Sequence, residues 1–108
     1  MKAAVLSSHA IARIVERVSM PVYDVRALLD WGLVVEVGRE VGNPDRVHRL
    51  FYSRAESQCF VAIQDERDGF VVTVMPLDYH SNKCWAVSLG AQIEAARLVG
   101  VEMGGAGV

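Results

Sequence analysis

The sequence predicts an α+β fold in which two N-terminal helices and one C-terminal helix pack on an antiparallel β-meander of about four strands. Three observations predict it. Between Phe51 and Leu77, short runs rich in Val, Ile and Phe alternate with polar turns, the pattern of strands joined by hairpins. Ahead of that stretch, apolar residues recur at helical spacing in two runs, before and after Ser19-Met20-Pro21. Behind it, a further helical run opens at Ser88 and closes at Gly100.

At 108 residues the chain suffices for one modest core, so residues 1–100 are expected to form a single compact domain. Residues 101–108, which include Gly104, Gly105 and Gly107, are expected to be a flexible tail. Hydrophobic residues at 52% against 22% charged exclude a disordered chain, and the apolar surplus suits an interface with a second copy. A net charge of −2 excludes a general attraction to nucleic acid, so any RNA contact needs a local basic patch. No run is long enough to cross a bilayer or to act as a signal peptide, which predicts no membrane association and a cytoplasmic location.

The first helix is expected from about His9 to Val18, with Ser7 and Ser8 as N-cap candidates and Ile11, Ile14, Val15 and Val18 as its apolar face. Ser19-Met20-Pro21 interrupts the chain, with Ser19 as the next cap and Pro21 in the first turn. The second helix runs to about Trp31, burying Val22, Val25, Leu28 and Leu29; Gly32 follows its C-cap and Trp31 packs at the core edge. Leu33 to Val37 reads as a first strand or an extended lead-in, and Gly38 to Asp45 as a turn region.

The next strand, Val47 to Ser53, places His48, Leu50 and Tyr52 opposite Val47, Arg49 and Phe51 by the period-two rule. Gln58 to Gln64 and Phe70 to Leu77 follow, with Gly69 supplying a positive φ in the turn between them. Cys59, Val61 and Ile63 oppose Phe60 and Ala62, while Val71, Thr73 and Met75 oppose Phe70, Val72 and Val74, so both faces of these strands are expected to be covered. Pro76 ends the pairing, and Leu77 to Lys83 reads as a polar loop. The last helix, capped by Ser88, carries Leu89, Ile93, Ala96 and Val99 roughly on one side.

Candidate chemistry lies in three places. His9, Arg13 and Arg17 recur every four residues along the first helix, either as a solvated stripe or as a His and two Arg aimed at an anion. Tyr79 and His80 sit in the polar loop after Pro76, and His48 and Arg49 lie on a strand whose polar residues can line a groove. Arg39, Arg46, Arg49 and Arg54 form a local basic bias. Cys59 and Cys84 form no CxxC and no structural zinc pattern, so both are expected to be reduced core thiols, with no metal and no cofactor.

The opening Ser8-His9-Ala10-Ile11-Ala12-Arg13-Ile14-Val15-Glu16-Arg17-Val18-Ser19 resembles the His-Ala-x-x-Arg-x-x-x-Arg helix of a group of small bacterial domains thought to share the fold of RelE-type ribonuclease toxins. Phe60 to Glu66, Pro76 to His80 and Trp85 look like further text of such proteins. The resemblance covers most of residues 8 to 98, through short motifs. It implies a sheet with helices on one face and an open face or rim for RNA, cleaved through the 2′-hydroxyl without a metal. His9 or His80 would then be base or acid, Tyr79 would donate or stack, and Arg13 and Arg17 would bind phosphate, with His48 and Arg49 as further substrate contacts. The other outcome is a non-catalytic regulatory or interaction domain of the same fold, burying Trp31, Leu33 and Val35 against a twin or an antitoxin-like partner.

Overall fold

A five-stranded sheet of order β1-β5-β4-β3-β2 forms the middle layer of the computed structural model, which describes residues 3–103. The elements run β1 (Val5–Leu6), α1 (Ser8–Arg17), α2 (Val22–Asp30), β2 (Val35–Arg39), β3 (Arg46–Ser53), β4 (Gln58–Asp65), β5 (Phe70–Pro76), α3 (Leu77–Lys83) and α4 (Leu89–Leu98). Strands β2 to β5 are the antiparallel meander that the alternation predicts. The sheet is mixed, because β1 adds to β5 in parallel, Val5 opposite Phe70 and Leu6 opposite Val71. A two-residue strand has no periodicity to read, so only the long-range pairing reveals it.

Both faces are covered. On one, Ala10, Ile14 and Val18 at α1 and Val25 and Leu29 of α2 pack on Phe51, Phe60, Ala62, Val71 and Val74. On the other, Ala95 and Ala96 of α4 pack on Leu50, Tyr52, Cys59, Val61, Ile63 and Met75. Each fully buried Val, Leu or Phe removes apolar surface from water worth about 1.5–3 kcal/mol, so neither half of this core is dispensable. The open face implied by the resemblance is therefore covered by α4.

The caps follow the predicted chemistry at three of the helix ends. Ser7 Oγ accepts from the Ala10 N–H at 2.9 Å and donates to the Val72 carbonyl at 3.1 Å, so one hydroxyl caps α1 and ties it to β5. Ser88 Oγ accepts from the Ala91 N–H to start α4. After α2, Gly32 takes φ +70° while the N–H groups of Gly32 and Leu33 donate back to the Leu29 and Leu28 carbonyls, a Schellman ending. Ser19 is no cap: Pro21 occupies that position with φ −59°, and Ser19 Oγ donates to Glu56.

Four readings of faces change. Ile11 and Val15 are exposed and Ala10 takes their place, because the α1 seam follows Ala10-Ile14-Val18. On α4, Ala95 and Ala96 face the sheet while Leu89 and Ile93 stay exposed, since small side chains allow the closer approach. On β5 a register shift opposite Ile63 and Gln64 inserts one residue, so Val71 and Val74 share a face that strict alternation denies them. Trp31 is 78% exposed rather than packed at the core edge. Of the expected tail, Val101 and Met103 pack against the second core, Glu102 is exposed between them, and residues 104–108 lie outside the described ones.

Candidate functional site

The polar stretch after Pro76 is a helix, α3, and this decides where the candidate residues go. Pro76, at φ −62° and ψ 153°, turns the chain from strand directly into helix without a loop. Helical spacing then sends Tyr79 and His80 to different sides: Tyr79 is 45% exposed and His80 fully buried.

Tyr79 meets the first helix. His9, Arg13 and Arg17 from α1, Val72, Thr73 and Met75 from β5, and Tyr79 from α3 line one groove of about 360 Å³. Its floor is the outer edge of β5 beyond Val71, where β1 has ended and no strand pairs with it among the described residues. Such an edge is commonly guarded by charged side chains, and α1 supplies three basic ones. Arg17 lies over the Tyr79 ring at 5.7 Å and Lys83 over the same ring at 5.9 Å, so two cations share one aromatic ring. Arg13 is paired with Glu16, one turn along α1, whereas Arg17 has no carboxylate partner among the described residues. No carboxylate lines the groove among the described residues.

His80 goes the other way, into a cluster with His48, Trp85, Cys84 and Glu40. His80 Nε2 lies 2.9 Å from His48 Nδ1, and His48 Nε2 lies 3.4 Å from Glu40 Oε1. The carboxylate can only accept, so His48 donates from Nε2 to Glu40 and accepts at Nδ1 from His80. That order leaves His80 Nδ1 buried with no hydrogen-bond partner, although the Trp85 backbone beside it favours the charged ring. Burial lowers the pKa of both imidazoles, opposed at His48 by Glu40 and reinforced at His80 by the neighbouring His48.

Local backbone structure makes room for this cluster. A β-bulge in β2 between Glu36 and Gly38 brings Gly38 opposite His48, and the Val37 carbonyl accepts from Trp85 Nε1 at 3.0 Å. Gly38, at φ +152°, leaves the space that the Trp85 ring fills; a Cβ there would sit 2.6 Å from that ring. Trp85 thus covers both imidazoles, with centroid distances of 4.5 Å to His48 and 5.2 Å to His80.

The remaining candidates do not join either site. Arg49 projects to the opposite face from His48, donates to Gln64 Oε1 at 2.9 Å and lies near Glu66. Arg39 is held between Glu36 and Glu66, which raise its already high pKa, so its share of the basic bias is neutralised. Cys59 is a buried thiol whose pKa burial pushes up to about 11. Cys84 is exposed at the C-cap of α3, not a core thiol, and its pKa is raised by partial burial and by Glu40. With His48 and His80 it forms a group in which one donor atom from each lies within 4.8 Å of the others. His80 and Cys84 lie four residues apart, one helical turn, while His48 comes from β3, so no short sequence pattern marks this group.

No protein-family model matches the chain, and neither a curated protein nor a solved structure matches it at a significant level.

Proposed function

We propose that the groove between α1 and α3 binds RNA and that the chain is a metal-independent endoribonuclease of RelE-like type. One observation carries this reading: His9, Arg13, Arg17 and Tyr79 line a single groove with no carboxylate in its walls among the described residues. In it His9 takes the proton from the substrate 2′-hydroxyl, which attacks the adjacent phosphorus. Arg17, with Arg13 beside it, binds the phosphate and balances the charge that grows on its oxygens. Tyr79 donates to the departing 5′ oxygen, or stacks a base on its ring. His80 and His48 have no part in it, being sealed beneath Trp85. With both sheet faces covered, the RNA lies along the β5 edge.

The experiment is cleavage of a mixed-sequence RNA by the wild type and by His9→Gln, with circular dichroism on both. Products ending in 2′,3′-cyclic phosphate, lost in a folded His9→Gln chain, support the reading. Intact RNA with the wild type, or undiminished cleavage by His9→Gln, overturns it.

A second reading rests on Trp31. Exposed at 78%, it borders a groove of about 550 Å³ whose walls include Met20, Pro21, Leu28 and Leu33. Large exposed apolar surface of this kind suits a twin or an antitoxin-like partner. Sedimentation of the wild type and Trp31→Ala separates a self-association surface from a monomer.

A further inference from the structure

The cluster of His48, His80 and Cys84 has no role in RNA cleavage, and nothing in the packing of a small core requires two buried imidazoles facing one another. We propose that it is a zinc(II) site in which one imidazole nitrogen from each of His48 and His80 and the Cys84 thiolate are the protein ligands, with water in the fourth position.

Three observations support it. The donor atoms of the three residues lie within 4.8 Å of one another. The facing nitrogens of His48 and His80 stand 2.9 Å apart. Zinc–nitrogen bonds of about 2.0–2.1 Å set tetrahedral neighbours roughly 3.3 Å apart, so the pair need open by only a few tenths of an ångström. Glu40 stands behind His48 Nε2 at 3.4 Å, the position from which a carboxylate orients a metal-bound imidazole and strengthens it as a donor.

The proton balance is simple. Cys84 loses its thiol proton to solvent. The proton between the imidazoles leaves His80 Nε2 for His80 Nδ1, so both facing nitrogens are free to bind. One proton is released per zinc bound, and no electron moves. Two imidazoles and a thiolate favour zinc over calcium and magnesium, which take oxygen ligands. Bound zinc would fasten α3 to β3 and so hold the helix that carries Tyr79.

The test is titration of the metal-free full chain with cobalt(II), a spectroscopic stand-in for zinc. The expected result is a thiolate-to-cobalt charge-transfer band saturating at about one equivalent and erased by added zinc. It is absent from Cys84→Ser, which alters an exposed position and keeps the circular dichroism of the wild type. Zinc also raises the Tm of the wild type but not of Cys84→Ser. No charge-transfer band in the wild type overturns the proposal, as does an equal band in Cys84→Ser, which would assign the thiolate to Cys59.

Discussion

His48 and His80 face each other at 2.9 Å between Nδ1 and Nε2, and only one of those two nitrogens carries the proton between them. A second proton between them would turn one ring into an imidazolium and set two N–H groups against each other in a region shut off by Trp85. Burial already holds both imidazoles below the usual 6.5, so the folded chain resists protonation where the unfolded chain accepts it.

In the metal-free chain, kept so by a chelator, stability is therefore full above about pH 6.5, the unfolded value. As pH falls below it, the unfolded state gains protons that the folded state refuses, and stability drops. Urea midpoints measured from pH 8 to pH 5 are expected to fall. A flat profile, or a rise toward acid, would show that the pair is not held neutral.

Arg17→Ala removes the groove cation that has no carboxylate partner among the described residues. RNA affinity is expected to fall by about 1.5–3 kcal/mol, the range for hydrogen bonds to charged groups. The slope of log affinity against log salt is expected to drop by about one phosphate contact. Arg39→Ala, at a cation already enclosed by Glu36 and Glu66, leaves both unchanged. Equal losses in the two variants would remove the groove from consideration.

Gly38→Ala places a methyl group 2.6 Å from the Trp85 ring at a backbone angle of φ +152°. Overpacking of this kind costs about 1–3 kcal/mol, and here strain adds to it. Trp85 is expected to shift, so its fluorescence and the Tm change together. Gly42→Ala, where a Cβ meets nothing within 4 Å, is the control.

Ser7→Ala strips both the α1 cap and the donor to the Val72 carbonyl. Loss of a cap costs about 0.5–2 kcal/mol, and an unmatched carbonyl adds to that. Thermal unfolding is expected to show a Tm lower by at least several degrees in a chain of this size. An unchanged Tm would mean that water replaces both bonds.

Phe60→Ala empties a fully buried position stacked on Phe51 at a centroid distance of 5.9 Å, and is expected to cost about 3–5 kcal/mol. Trp31→Ala removes a larger side chain from the surface and is expected to stay within about 0.5 kcal/mol. Chemical denaturation of the two variants ranks them, and the reverse order would contradict the assigned core.

The meander was legible because strands β3 and β4 keep strict alternation over two apolar faces, as Leu50 against Phe51 and Val61 against Phe60 show. Alternation failed on β5, where one inserted residue changes the phase between Val71 and Val74. α3 was missed because its seven residues hold few apolar ones and follow a proline, the usual signature of a loop. Half of the site was legible for a related reason. His9, Arg13 and Arg17 share a helix face by local spacing, while the approach of Tyr79 depends on how α3 leaves the sheet. The pairing of His48 with His80 joins positions 32 residues apart and has no local signal at all.

β1 and the start of α1 have their partners in β5: the Val5 N–H donates to the Gly69 carbonyl, and Ser7 binds Val71 and Val72 some 65 residues later in the chain. During synthesis the first helix therefore leaves the ribosome long before the strand on which it rests. Ile14 has no complete surface to bury against until β5 has been made. The meander can zip from local hairpins, but the N-terminal segment must close the longest loop in the molecule, a late and slow step. Until that closure the β5 rim stays uncovered along its whole length, and crowded nascent chains are then most exposed to one another there.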